Sequence, residues 1–514
     1  MPNRTTDPLF QLVQSLERAE KRNFKLYMNR NSGTGELKVV QLFDALDKMK
    51  AYDEALLLRK HKAIRKEQLS NLKAHLYQAI LSSLRVLHAN QHLDLELHEQ
   101  LDFARLLYHK GLYLQSLKTL DRLKELAQSR HQVTYLQQAL YLEKKIESLH
   151  ITRSMQDRAA VLAQESDKSM EKLALISRLS NLSLLLYGWY IQHGHARNAA
   201  DEADLDIYHQ EVLQLESQRS EGFYERLYLY QCHCWHAFIR QDFLLYYRYS
   251  QKWVDLFQAE PEMIPVESMF YIKGLHNLLG AHFDLRNVKG FTKTLKQMEA
   301  LEQADWMQNS QNNQIQLFTY LYTAKLNRHF MEGSFSKGLA LVPELEERLD
   351  HYELFLDRHR ILVFYYKIAC LYFGSGDNSR SIDYLQKIIQ QKFDLRTDLQ
   401  CYARLLHLIA HYEMGNWQIL ESLLKSAYRF MARMQNLSGV EEALLGFLKI
   451  AFRSSPKTVK PHLETLLLAL QKMERNKMET RAFMYLDVLS WLESKIAGKP
   501  VQTVIRQKFL VSQK

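Results

Sequence analysis

The chain has 514 residues, of which 46% are hydrophobic, with only 17 glycines and 8 prolines and a formal net charge of +10. Average usage of about 7% glycine and about 5% proline would place roughly 36 and 26 of them in a chain this long. Breakers this scarce, with no window alternating at period two between turn residues, exclude a sheet-rich fold and predict an all-α protein.

The opening MPNRTTDPLFQ lacks the apolar stretch of a secretory signal, and the longest nearly apolar run, Leu182 to Ile191, is about half the length that spans a bilayer. No membrane span is expected. Four cysteines, Cys232, Cys234, Cys370 and Cys401, form no paired framework and point to a reducing compartment such as the cytoplasm. Charge is uneven. Met1 to Asn90 carries 16 Lys/Arg against 9 Asp/Glu, Lys449 to Lys514 carries 13 against 5, and the middle is therefore −5. A chain basic at both ends suits either an anionic partner or solvated helix faces.

Taken in order, Leu9 to Met28 reads as one amphipathic helix, with Leu9, Leu12, Val13, Leu16, Phe24 and Tyr27 on one face and Arg18, Lys21, Arg22 and Lys25 on the other. Asn31 to Gly35 should break it, Leu37 to Met49 should start again, and a short helix should follow Asp53. The run Arg59, Lys60, His61, Lys62, Ala63, Ile64, Arg65, Lys66 then precedes a long helix carrying Leu69, Leu72, Leu76, Ile80, Leu84 and Leu87. Residues 1–90 are read as a basic helical module and residues 91–514 as a second region.

In that second region the turn candidates Gly111, Thr152, Gly194, Gln241, Asn287, Gly333, Gly376, Gly415, Ser455 and Gly498 recur every 39 to 47 residues. The best-defined unit is RILVFYYKIACLYFGSGDNSRSIDYLQKIIQ, Arg360 to Gln390, two apolar-periodic segments hinged at Gly374 to Asp377. Tyr365, Ile368 and Tyr372, with the small Ala369, share a face of the first helix, and Ser381, Leu385 and Ile388 line the second. Phe103, Ala104, Leu107, Gly111, Tyr113, Ser116 and Leu120 repeat these offsets, as in part do Gly280 with Phe283 and Asn287, Gly333 with Phe335, and Gly415 with Trp417. The pattern resembles tetratricopeptide repeats, in which small residues let paired helices approach and large ones fill the seam. It implies an α-solenoid of about ten antiparallel hairpins; the HEAT or armadillo class, whose period is nearer to this one, is the alternative. LFQLVQSLERAEKRNFKLY near the start and HYEMGNWQILESLLKSAYRF at His411 to Phe430 also resemble segments of an uncharacterised bacterial family of tetratricopeptide-like proteins, a likeness that carries no known activity.

The sequence assembles no catalytic constellation. Cys232-His233-Cys234-Trp235-His236 offers two ligands on one helix face, Cys232 and His236, where a structural metal needs four, so core packing is the expected role and no metal is expected. Asp201-Glu202-Ala203-Asp204 spells a helicase signature without the phosphate loop that such an enzyme needs. Gly374-Ser375-Gly376 lacks the third glycine of a dinucleotide fingerprint, His98-Glu99 lacks the second zinc-protease histidine, and no serine stands in G-x-S-x-G. The expectation is a non-enzymatic interaction protein without cofactors.

A solenoid of hairpins presents its first helices along a concave face. On the repeat offsets, the residues facing that groove are Tyr228, Gln231, Trp235, Phe238, then Asn277 and Asp284, then Tyr320, Asn327 and Phe330, then Tyr366 and Phe373. Aromatics and amides suit a protein or peptide partner with apolar anchors. The positions at which related domains carry the lysines and arginines of a carboxylate clamp read Gln231, Asn277, Thr323 and Tyr366, which argues against that mode. Nucleic acid is the alternative partner, through Arg59, Lys60, Lys62, Arg65 and Lys66, with Lys73 and Arg85 on the next helix. No helix-turn-helix with a short turn and apolar clamp is legible there.

Overall fold

The computed structural model describes residues 7–31, 37–89, 92–150, 157–217, 222–308, 310–353, 355–391, 397–434, 437–451, 456–475, 483 and 486–513, and every regular element among them is a helix. No helix among them is long and apolar enough to cross a membrane. The described residues form two compact units, Met1–Leu173 and Ala174–Lys514.

The first unit contains two cores. Residues 7–88 supply five helices, Pro8–Ser15, Arg18–Asn31, Leu37–Asp47, Glu54–Lys60 and Lys66–His88. They close on Leu9, Phe10, Val13, Phe24, Leu42, Phe43, Leu57, Ile64, Leu76 and Ile80. The single helix expected over Leu9 to Met28 is two. Leu16 is extended, and the Glu20 carboxylate accepts from the Glu17 amide at 2.8 Å, which satisfies a free donor where the second helix begins. Ser32 to Gly35 lie outside the described residues, whereas the short helix after Asp53 forms, its Leu56 amide donating to Asp53 Oδ1 at 2.9 Å. The second core joins Leu93–His109, Tyr113–Ser129 and Val133–Leu149 through Leu97, Leu101, Ala104, Leu117, Leu120 and Ile146.

One turn recurs throughout the chain. Gly111, Gly194, Gly333, Gly376, Gly415 and Gly498 all have positive φ, as does Gln241, while at Asn287 the left-handed residue is its neighbour Arg286. Thr152 and Ser455 lie outside the described residues. At Gly111, Gln241, Arg286, Gly376 and Gly415 the same pair of bonds closes the turn: the left-handed residue's amide donates three residues back, and the next amide reaches five back from itself. Both terminal carbonyls of the first helix are thereby satisfied. His131 makes this closure too, at a position with no glycine or other turn residue to announce it.

The small residues at the seam keep register as well. Ser116 Oγ donates to the Ala104 carbonyl at 2.7 Å and Ser381 Oγ to the Ala369 carbonyl at 2.9 Å. In each case the acceptor precedes the turn glycine by seven residues and the donor follows it by five. These two hairpins, 265 residues apart in number, share one packing geometry.

In the second unit each long helix packs on the next, from Phe223–Ile239 and Phe243–Ala259 through Ser268–Asp284, Gln311–Glu332, Arg358–Ser375, Asn378–Ile389 and Thr397–Glu413 to Val488–Ala497 and Val501–Ser512. The last helix also returns to helices far earlier in the sequence, Gln311–Glu332 and Arg358–Ser375. Arg506 donates to the Glu332 carbonyl at 3.2 Å, Ser336 Oγ to Gln502 Oε1 at 3.0 Å, and Trp491 Nε1 to Glu413 Oε1 at 2.7 Å. The return needs Gly333: a Cβ there would sit 2.4 Å from the Arg506 amide nitrogen, and its φ of +63° disfavours other residues independently. Stacks in which each repeat touches only its neighbours have no such contact.

Candidate functional site

The helices carrying the predicted groove residues do face one another in series within the second unit. Between Phe223–Ile239 and Ser268–Asp284, Tyr228 meets Phe270 edge-on at 5.9 Å, and the Lys273 ammonium lies 5.4 Å from the Trp235 ring. Between Ser268–Asp284 and Gln311–Glu332, His276 stacks on Tyr320 at 4.0 Å, and Lys273 lies 5.2 Å from that same ring. Between Gln311–Glu332 and Arg358–Ser375, Lys367 Nζ donates to Asn327 Oδ1 at 2.6 Å and lies 5.5 Å from Phe330, while Arg360 lies 5.7 Å from Tyr320. Upstream, Tyr187 and Tyr190 approach Trp235 at 4.9 and 5.8 Å, and Tyr190 approaches Phe238 at 5.3 Å.

Tyr228, Trp235, Phe238, Asp284, Asn327 and Phe330 keep accessible surface along this strip. Gln231, Asn277, Tyr320, Tyr366 and Phe373 are buried: Gln231 accepts from Ser183 Oγ at 3.1 Å and is taken up by helix packing, whereas Tyr320 holds the cations and His276 around its ring. The offsets missed Lys273, His276, Arg360 and Lys367. Lys273 is one helical turn before Asn277, and Lys367 is the residue after Tyr366, so the strip is wider than one residue per turn. The clamp positions are indeed uncharged, but cations stand beside two of them.

These cations are short of counter-charge. Arg360 pairs with Asp357 at 3.1 Å, whereas Lys273 and Lys367 have no carboxylate within ion-pair distance among the described residues. Burial lowers Lys367 to about 8, against the opposing pull of the Cys370 thiol and Asp284. It raises Asp284 to about 7, and Cys370 is pushed up to about 12. His276 is held well below its usual value by burial, then by Lys273, Arg360 and Lys367. At neutral pH the recess therefore presents positive charge among aromatic rings, with Asp284 partly protonated. A cation withdrawn from water without an anion is costly, and such groups concentrate where ligands bind.

The Cys232 to His236 cluster divides around its helix. Cys232 Sγ lies 3.4 Å from the Leu179 carbonyl, Cys234 Sγ lies 3.6 Å from Ser250 Oγ, and His236 stacks on His209 at 3.8 Å. Among the described residues no three His, Cys, Asp or Glu side chains converge as metal ligands.

In the first unit Arg59, Lys60, Lys62, Arg65 and Lys66 are all exposed around the link between Glu54–Lys60 and Lys66–His88. None has a carboxylate partner within ion-pair distance among the described residues. Ile64, buried at the centre of the link, fixes it to the core beside Leu57 and Leu69. Lys73 is held apart from this group by Asp7 at 2.9 Å, and Arg85 by Asp102 at 3.1 Å.

No family model matches the sequence, and comparison with curated proteins finds no similar chain.

Proposed function

We propose that the chain is a non-enzymatic, cytoplasmic scaffold, a tetratricopeptide-like α-solenoid of about ten hairpins that binds a polypeptide along its concave face. The observation that carries this reading is the strip running from Tyr190 through Trp235, Lys273, Tyr320 and Lys367 to Phe330, built by successive hairpins rather than by one. Aromatic rings supply contact area at low entropic cost, and cations without counter-ions favour a partner segment that carries carboxylates. The partner is thus an acidic polypeptide with apolar anchors. Four free thiols support the compartment.

Replacing Trp235 and Phe330 with alanine should weaken capture of the partner from native lysate about tenfold or more while leaving helicity unchanged, and Lys367→Glu should do the same by charge. Undiminished capture by both variants, read by mass spectrometry of the bound fraction, would remove the groove assignment.

A second reading rests on the five exposed, unpaired cations around Ile64: a regulator whose N-terminal module binds nucleic acid under control of the array. It predicts retention on DNA or RNA that falls steeply with salt and is lost when Lys60, Lys62, Arg65 and Lys66 become glutamate. An absence of retention at low salt sinks it.

A further inference from the structure

Where Val501–Ser512 returns to the Gly333 turn, it encloses one side of a cavity of about 670 Å³. Four cations line it from three chain segments: Lys325 and Arg328 from Gln311–Glu332, Lys337 from just beyond the turn, and Arg506 from the returning helix. We propose that this cavity binds a phosphate group, free or esterified to a small molecule, between Lys325, Lys337 and Arg506.

The charges in the lining select the ligand class. Against the four cations stand Glu299 and Glu332, leaving a net +2 with His329 neutral. Glu332 is engaged by Arg328 at 2.8 Å. Lys325 lies over the Tyr322 ring at 4.9 Å, and the Arg506 guanidinium meets the Glu332 backbone carbonyl and the Phe509 ring. No carboxylate lies within ion-pair distance of Lys325, Lys337 or Arg506 among the described residues. A phosphate monoester carries about −1.5 to −2 charges at neutral pH, with oxygens spaced for a guanidinium fork. The volume lies within the roughly 300–1,000 Å³ of small-molecule sites. The Ser334 and Ser336 hydroxyls and the Gln502 amide add neutral hydrogen-bonding groups to the same lining.

The placement gives binding a consequence. Lys325 and Lys337 flank the turn and Arg506 belongs to the helix that docks on it, so a bound dianion bridges the two and tightens the return. This site is separate from the aromatic strip, and its test does not depend on a polypeptide partner.

The full-length protein would be titrated with inorganic phosphate and with AMP at constant ionic strength, followed by melting temperature and by amide hydrogen exchange over residues 501–512. Either ligand at millimolar concentration should raise the melting temperature and slow that exchange, since a ligand bound only to the folded state stabilises it. Equal effects would assign free phosphate as the ligand, and a stronger effect of AMP would assign the ester; both support the site. Changing Lys325 and Lys337 to glutamate should weaken binding about tenfold or more, while the arginine pair retains it and circular dichroism confirms that both variants fold. The proposal is overturned if neither ligand acts at about ten millimolar, in the affinity range where small-anion sites are measurable, if chloride at matched ionic strength acts equally, or if the glutamate pair responds like the unmodified protein.

Discussion

Glu143→Ala should be among the most damaging single substitutions in the N-terminal unit, lowering its stability by about 3–5 kcal/mol. Glu143 has no exposed surface. Its carboxylate receives Lys124 Nζ at 2.5 Å and Arg158 Nε at 3.0 Å, joining helix Val133–Leu149 to Tyr113–Ser129 and to the start of Arg158–His193. Arg158 is raised further above its ordinary value despite the opposing cost of burial, because the Glu143 carboxylate lies against it. Removing the carboxylate strands a lysine that is itself buried, and Asp121 at 3.3 Å replaces only part of the lost interaction. Glu143→Gln, which keeps an acceptor, should cost less. Asp102→Ala, which breaks the exposed pair with Arg85, should cost no more than about 1 kcal/mol. Urea denaturation, with hydrogen exchange over residues 113–149 to localise the effect, checks all three. A loss below about 1 kcal/mol for Glu143→Ala would show that the buried cluster contributes no more than a surface pair.

Acid should weaken the second unit well before its carboxylates are all protonated. Burial holds His233, His282 and His407 down to about 4 and His236 to about 3, the last helped by the neighbouring His209 and Arg240. An unfolded histidine titrates near 6.5. The fold accepts the neutral ring, so the unfolded chain binds more protons below that value, and stability falls as pH drops from about 6.5 toward 4. A ring that stays neutral in the fold loses at most about 1.4 kcal/mol per pH unit below the unfolded value. Asp284 runs the other way: raised to about 7, it is relieved by protonation and offsets part of the loss. The urea midpoint should therefore fall steeply between pH 6.5 and 5. His236→Gln should flatten that slope, since one titrating ring is gone from the stack with His209. Equal midpoints at pH 7.5 and pH 5 would contradict the assignment of these rings as buried and neutral.

The periodicity of the chain was legible because helix ends carry a chemical signature. Six of the left-handed turns are glycine, and their spacing was readable from the residues alone. Gln241 and Arg286 occupy the same conformation without glycine, and there only spacing pointed to the turn; at His131 neither signal was present. The recess was legible only in part for a different reason. Helical offsets identify a face but not which of two adjacent positions keeps solvent, so they point to Tyr366, which is buried, and not to Lys367, which reaches Asn327 across the interface. The helix break at Leu16 was hidden because no glycine or proline marks it, and the capping carboxylate of Glu20 looked like any exposed helical glutamate. The return of Val501–Ser512 could not be read from local pattern at all, since it depends on partners more than 160 residues away.

That long-range contact changes how the second unit should be made and lost. In a purely sequential stack, terminal helices can fray one pair at a time, each departure exposing only the neighbour beneath it. Here the final helix fastens to a turn laid down some 170 residues earlier, so its loss uncovers the Gly333 region as well as its immediate neighbour, coupling the stretch between them into one cooperative block. During synthesis the surface beside Gly333 stays uncovered until Val501–Ser512 has left the ribosome. Assembly of this block therefore waits on a helix made long after the turn it fastens to.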